Sequence, residues 1–233
     1  MKRALVVLSM LFLGCADPPP DDTAGLSTND LSLQILVETN EEATTARIGI
    51  YALGHDRYHR LWLGGGDRLV ARVGDRTFEA EEVDGSLAGY TVKVPITDGS
   101  FELDLLRTGS SSARATRIDL PPAFALSPPA GDGLVHLERP FTLQWTPAVA
   151  SSSMRATLAG PCVVAAERTL SADTGTFTWS VADFGHGATP APCTVTIALH
   201  RPGGQVTLAP ELAGVQLFRA QQVRAIGLWA TRS

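Results

Sequence analysis

Residues 31–50 read LSLQILVETNEEATTARIGI, and they predict two β-strands joined by a tight turn. Every second residue in the first part is apolar, namely Leu31, Leu33, Ile35 and Val37. The same alternation returns from Ala46 to Ile50, after the polar turn at residues 39–42. Because successive side chains of a strand point to opposite faces, this pattern gives each strand one apolar face. We therefore expect an antiparallel pair with that face buried.

The period of two continues through the first half of the chain. Gly- and Asp-rich turns separate the apolar runs, and residues 97–100 (Thr-Asp-Gly-Ser) lie between strands predicted at residues 90–96 and 101–105. Two alternating runs joined by such a turn are typical of a β-hairpin. Roughly seven or eight short strands with no convincing helix predict an antiparallel β-sandwich over residues 31–121.

The second half repeats this character after a Pro-rich stretch. Residues 122–129 contain three prolines and predict a stiff joint, in which Phe124 and Leu126 pack against one of the domains. Residues 130–233 again alternate, with Trp145 and Trp179 on apolar faces. The predicted fold class is all-β, with two consecutive antiparallel β-sandwiches.

Two of the three cysteines predict a disulfide. Cys162 and Cys193 have no CxxC or Cys/His neighbourhood, and in an exported protein such a pair is oxidised by default. We expect both to lie at strand starts in the second sandwich. By loop entropy, the bond would stabilise the fold by about 3–4 kcal/mol.

The amino-terminal residues predict export. Lys2 and Arg3 precede an apolar run over residues 4–13, and Gly14-Cys15 follows as a cleavage site. A run of this length forms a helix of only about 15 Å, half the thickness of a bilayer core. Residues 1–14 are therefore predicted to be a signal peptide.

Residues 12–15 (Phe-Leu-Gly-Cys) resemble the lipobox of bacterial lipoproteins, in which the cysteine is diacylated and becomes the mature amino terminus. Gly14 and Cys15 match that pattern, whereas Phe12 and Leu13 depart from it. The resemblance implies lipidation at Cys15, a membrane partner, and residues 15–30 as a flexible tether. The alternative is ordinary cleavage after Ala16, which would release a soluble periplasmic or secreted protein.

A wider resemblance rests on residues 61–67 (LWLGGGD), 120–122 (LPP), 141–147 and 160–162. These motifs are similar to those of uncharacterised lipoproteins of GC-rich Gram-negative bacteria with two immunoglobulin-like β-sandwich domains. The resemblance implies the fold and the cellular location, and it provides no catalytic residues. In such lipoproteins an aspartate after the cysteine favours the inner membrane; Ala16 stands there, which implies the outer membrane.

The net charge of the chain and its lack of catalytic motifs limit the classes of function that the sequence supports. The formal net charge is −5, which argues against nucleic acid as a partner. No nucleophile motif is present, so we predict no enzyme and no cofactor.

His55, Asp56 and His59 form the one grouping of metal-ligand type. In an extended segment the histidines would be about 13 Å apart, so we predict a solvated loop and no metal.

Trp62 and Trp229 are the candidate binding residues. Exposed indoles could stack on sugar rings or anchor a protein, although both lie in apolar runs and core packing is the favoured prediction. The leading hypothesis is a non-enzymatic envelope lipoprotein acting as a spacer or protein-binding module. A carbohydrate-binding module or adhesin is the alternative, and an enzyme with an unrecognised cleft is third.

The anchor and the disulfide are both tested by intact mass spectrometry of the native protein. We expect a diacylated chain beginning at Cys15 that is lighter by two hydrogens than its reduced form. A Cys15→Ala variant should leave the membrane fraction. A native mass beginning at Met1, or with both later thiols reduced, would contradict the prediction.

Overall fold

The computed structural model describes residues 22–53, 60–83, 89–128 and 134–232. Most of them lie in strands, with one short α-helix and a 3-10 helix at Thr28–Asp30. The first strands are β1 (Leu31–Thr39), β2 (Thr44–Ala52), β3 (Arg60–Leu61), β4 (Arg68–Val73), β5 (Arg76–Glu79), β6 (Glu81–Glu82), β7 (Tyr90–Val94), β8 (Ser100–Leu106) and β9 (Ala113–Asp119).

The later elements are again mostly strands, and two of them are long. They are β10 (Ala125–Ser127), β11 (Leu134–His136), β12 (Phe141–Thr146), β13 (Met154–Ala159), β14 (Ala166–Leu170), β15 (Thr176–Trp179), α1 (Val181–Phe184), β16 (Cys193–Gly203), β17 (Gln205–Thr207) and β18 (Gly214–Thr231). The all-β class predicted from the alternation is confirmed.

Three sheets organise these strands. A ten-stranded sheet runs in the order β14-β13-β16-β18-β1-β2-β7-β6, with β11 also paired to β18 and β3 to β2. We call it the shared sheet. A five-stranded sheet, β17-β9-β8-β4-β5, covers one half of it, and a three-stranded sheet, β10-β12-β15, covers the other. The result is two sandwiches with one continuous sheet in common.

The first sandwich buries the alternating residues of its two sheets. Ile35 and Ile48 from the shared sheet pack in one cluster with Phe101 and Ile118 from the five-stranded sheet. The predicted antiparallel pairing of β1 with β2 is confirmed, with Ile35 opposite Ile48. Each such side chain stabilises the fold by about 1.5–3 kcal/mol through burial.

The second sandwich has its own core, which includes the predicted disulfide. Trp145 and Trp179 are buried there, together with Phe124 from the joint. Cys162 and Cys193 are bonded, with Cα atoms 5.9 Å apart. Cys193 starts β16 as predicted, but Cys162 lies in a turn before β14.

The predicted limits of the sandwiches, 31–121 and 130–233, differ from the packing in one respect. Residues 205–207 pair with β9, and Gly214–Gln222 pair in parallel with β1, so this part of the second half belongs to the first core. The remainder of β18 pairs with β16 and β11 in the second sandwich. One long strand therefore serves both sandwiches.

The hairpin predicted at residues 90–105 is wrong. β7 pairs with β2 and β6 in the shared sheet, whereas β8 pairs with β4 and β9 in the opposite sheet. The link crosses between layers, and Thr44 and Gln222 donate hydrogen bonds to the carbonyls of Ile96 and Thr97. Alternation determines which face of each strand is apolar, and both arrangements bury that face equally.

The flexible tether predicted over residues 15–30 is wrong for its described part, residues 22–30. Thr23 is fully buried; its amide donates to the carbonyl of Trp62 (2.8 Å) and its hydroxyl to Asp67 (2.7 Å). Arg107 donates to the carbonyls of Thr23 (2.7 Å) and Leu26 (3.0 Å). The polar composition suggested solvent, but buried side chains satisfy these backbone groups instead.

A buried ion pair lies where the two sandwiches meet and stabilises their junction. Arg201, near the end of β16, is fully buried and lies 2.6 Å from an Asp173 carboxylate oxygen. Its guanidinium also donates to the carbonyls of Pro122 (3.0 Å) and Pro147 (2.7 Å). Trp145 Nε1 donates to the other Asp173 oxygen at 2.6 Å. The pair thus fixes the joint against two loops of the second sandwich.

The neighbouring residues of β18 continue this connection. Gln222 Nε2 donates to the carbonyls of Thr97 (2.7 Å) and Pro121 (2.9 Å), and Arg224 donates to the carbonyl of Thr39 (3.3 Å). These carbonyls lie where strands of the first sandwich end. Their hydrogen bonds are satisfied by side chains because no neighbouring strand continues there.

Replacing Asp173 with Asn tests this ion pair. The variant leaves Arg201 buried without a counter-charge, and we expect a loss of roughly 3 kcal/mol in the free energy of unfolding at about pH 7. Urea unfolding followed by circular dichroism measures it. Asp75→Asn, on an exposed turn, is the matched control and should be close to neutral.

The same pair sets a pH dependence. Burial alone would raise the pKa of Asp173, but hydrogen bonds from Trp145 and the Val149 backbone, together with Arg201, lower it overall. The carboxylate therefore stabilises the fold above its unfolded pKa, about 3.9, and that contribution is lost as pH falls through the lower folded value. The gap between wild type and Asp173→Asn should shrink between about pH 5 and pH 2. An unchanged gap would contradict the assignment.

Candidate functional site

A concave groove lies on the shared sheet where the two sandwiches meet. Its volume is about 580 Å³. We call it the junction groove, and its lining residues are Leu36, Val37, Glu38, Thr45, Arg47, Arg155, Pro202, Gly203, Gly204, Phe218, Arg219, Ala220 and Gln221. They come from β1, β2, β13, β18 and the end of β16, with Gly204 following β16 directly.

The backbone of residues 202–204 forms one wall of the junction groove. Gly204 has a φ of +82°, and a Cβ added there would lie 2.5 Å from the carbonyl oxygen of Asp119. Only glycine therefore fits where the chain leaves β16 and turns to the opposite sheet. This close approach places Gly204 directly against Asp119, the last residue of β9 in the five-stranded sheet.

Two arginines flank an aliphatic floor. Leu36 of β1 lies opposite Arg47 on one neighbouring strand and opposite Arg219 on the other. Since neighbouring strands are about 4.8 Å apart, the two arginine Cα atoms are separated by about 10 Å. Neither arginine forms an ion pair with any residue in the described part of the chain. Both guanidinium groups are exposed and available for a ligand.

Arg155 supplies a third positive charge, held in a network. Its guanidinium lies 3.5 Å from a Glu167 carboxylate oxygen and 3.2 Å from His200 Nδ1. Gln221 accepts from Arg155 at 3.5 Å and donates to Glu38 at 3.1 Å. Glu38 is the single acidic residue of the lining, against three arginines. The groove is therefore cationic within a chain that is acidic overall.

His200 adds no charge near neutral pH. Burial lowers its pKa first, and the positive charge of Arg155 lowers it further. Because arginine can only donate, Nδ1 accepts from Arg155 and the ring proton belongs on Nε2, which faces the Thr157 hydroxyl at 3.4 Å. The charge of the groove is thus carried by arginines, which remain protonated at any physiological pH.

The two candidate tryptophans have different environments. Trp62 is partly buried against the first core, with the Arg60 guanidinium 4.1 Å from its ring centroid and Tyr90 edge-on at 6.2 Å. Trp229 is 57% exposed on β18. The core packing favoured for Trp229 is therefore wrong, because the side chain falls on the outer face of the shared sheet.

Several predicted positions lie outside the described residues. They are the signal peptide, Cys15, and the grouping of His55, Asp56 and His59. Within the described ranges, no cluster of three or more His, Cys, Asp or Glu residues could hold a metal ion. In the same ranges, no helix has the length and apolar content needed to span a bilayer.

The arginines of the junction groove were missed by sequence reasoning. Arg47, Arg155 and Arg219 belong to three distant segments that meet only through strand pairing. Each occupies the polar face of an alternating strand, where a solvated arginine is ordinary. The pairing of β1 with β18 is the information that joins them.

Fold and groove together define a two-sandwich β protein with a cationic groove at the junction. No protein-family model matches the chain, and no curated protein sequence matches it. Among solved structures it is similar to the FN1–FN3 domains of chicken CNTN1, at 12% identity and a TM-score of 0.21, over 92% of this chain and 67% of that one.

A second solved structure concerns host cell surface retention of a 1.5-MDa bacterial ice-binding adhesin. Here the identity is 8% and the TM-score 0.25, over 89% of this chain and 66% of that one. TM-scores this low do not establish a common fold. The immunoglobulin-like subclass therefore stays a prediction, while the two-sandwich architecture follows from the strand pairing itself.

Proposed function

We propose that this protein is a non-enzymatic, lipid-anchored binding module of the bacterial cell envelope that holds an acidic segment of a partner protein in the junction groove. The amino-terminal signal and Cys15 support the export and anchoring half of the proposal. The binding part of the proposal rests on one observation. Arg47 and Arg219, neither of which forms an ion pair with a described residue, lie on either side of Leu36.

The composition of the groove favours a protein partner. Leu36 and Pro202 supply apolar surface, and arginines surround it. An apolar centre with arginine at its edge is the usual composition of protein interfaces, where arginine is enriched and often carries much of the binding energy. The described lining residues provide positive charge and a concave surface, and both features suit the binding of an acidic segment.

The spacing of the arginines favours an extended ligand. Their Cα atoms are about 10 Å apart, which matches acidic residues three positions apart in a polyproline II segment, where three residues per turn at about 3.1 Å each place them on one face about 9 Å apart. Each guanidinium can then pair with one carboxylate in a charge-assisted hydrogen bond. The rigid junction between the sandwiches keeps the two arginines in register with such a segment.

Charge reversal in the groove tests this proposal. The probe is a fluorescein-labelled peptide with proline to prevent helix formation and glutamates three residues apart; the same peptide with glutamines is the neutral control. We expect Arg47→Glu and Arg219→Glu each to weaken binding of the acidic peptide by about tenfold or more in fluorescence anisotropy. Raising the salt concentration to about 0.5 M should also weaken it.

The matched control is Arg114→Glu, because Arg114 is an exposed arginine on β9 of the opposite sheet. Its binding should equal that of wild type, and all variants should melt at similar temperatures. Equal binding of the acidic and neutral peptides would overturn the proposal. So would an equal loss of affinity in Arg114→Glu.

A further inference from the structure

The indole of Trp229 lies in the open on the outer face of the shared sheet. It is 57% exposed, whereas Trp145 and Trp179 are buried in the second core and Trp62 is partly buried. A tryptophan is highly buried on average because its large apolar surface is costly to hydrate. Trp229 and the exposed Leu134 opposite it on β11 form a small apolar patch, which is a candidate contact surface.

The described residues that pair with Trp229 or precede it on the same face are small or aliphatic and carry no charge, and His136, the next residue along β11 on this face, contacts Thr231 at 3.3 Å. Thr194 of β16 and Leu134 of β11 lie opposite Trp229 on the two neighbouring strands. Gly227 precedes it on the same face, opposite Thr196. A Cβ added at Gly227 would meet only the Thr194 methyl group, at 3.9 Å, so the space beside the ring is open. We call Trp229, Thr194, Leu134, Gly227 and Thr196 the Trp229 platform.

We infer that the Trp229 platform binds one ring of a neutral, β-linked oligosaccharide. A pyranose presents an apolar C–H face that packs on the electron-rich face of an indole. Its hydroxyl groups project at the rim, where the exposed hydroxyls of Thr194 and Thr196 can exchange hydrogen bonds with them. Thr194, Thr196, Leu134 and Gly227 carry no charge, so the patch selects a neutral ligand.

The size of the patch favours a sugar over a protein. One indole with one leucine beside it is far smaller than the roughly 1,200 Å² or more that a stable protein interface buries. A single sugar ring needs only such a patch. Hexoses with all substituents equatorial, such as glucose and N-acetylglucosamine in β-linkage, keep both ring faces free for stacking.

This site is independent of the junction groove. Gln221 of the groove and Trp229 lie on the same strand, eight positions apart, which corresponds to about 26 Å. The two sites therefore hold different ligands, one acidic and one neutral. A protein carrying both would connect a glycan to a partner in the envelope.

Fluorine NMR on the mature protein labelled with 5-fluorotryptophan tests the inference. The chain has four tryptophans, so Trp229→Phe identifies the resonance of Trp229 by its loss. The probes are cellohexaose and chitohexaose. We expect at least one of them to shift the Trp229 resonance in a saturable way and to leave the buried Trp145 and Trp179 resonances unmoved.

Two variants separate binding from folding. Trp229→Ala should weaken binding, measured by calorimetry, at least about tenfold, as expected for the loss of one aromatic stacking partner. Gly227→Val fills the open space with a residue that suits a strand, so it should abolish binding while the protein still melts normally. Val181→Ala, which changes an exposed apolar residue elsewhere, should bind as wild type does.

Three outcomes would overturn the inference. One is the absence of any Trp229 shift with either sugar at about 10 mM, a concentration that would reveal even millimolar affinity. Another is a shift that persists in Gly227→Val. The third is a Trp229 resonance that moves with protein concentration alone, which would identify a second copy of this chain as the occupant.

Discussion

The pairing of β18 with two different sandwiches is the constraint on which the rest of the structure depends. Its first part is hydrogen-bonded in parallel to β1, and its later part is hydrogen-bonded to β16, with residues 220–222 paired on both sides. Backbone hydrogen bonds of a continuous strand do not allow one half to rotate freely against the other. The two cores therefore pack on one continuous sheet, which fixes their relative position. The Pro-rich joint is not a hinge.

This arrangement has a cost at the point where the layers diverge. Strands end there and leave carbonyl groups without ladder partners inside the protein. Arg201 and Gln222 satisfy several of them, and Asp173 balances the charge of Arg201. A buried guanidinium is tolerated only because its hydrogen bonds and counter-charge are supplied together.

Both proposed binding sites follow from the shared sheet. The junction groove exists because Arg47 and Arg219 are brought to opposite sides of Leu36 by strands from the two ends of the chain. The Trp229 platform lies further along the same face of β18. A single rigid surface thus presents a cationic groove and an aromatic patch at a fixed separation, which suits the proposed role of joining two different ligands.

Much of the fold was determined by the sequence alone, because apolar alternation is a local property. It identified β1, β2 and their antiparallel pairing, most later strands, and the bond between Cys162 and Cys193. The pairing of strands between sheets was decided only by tertiary structure. Both β7 and β8 present an apolar face whichever sheet they join, and nothing in residues 214–222 specifies a parallel partner near residue 36. The candidate site belongs to this second class, since Gln221 and Glu38, which meet in the groove, are 183 positions apart and lie within hydrogen-bonding distance only after the chain has folded.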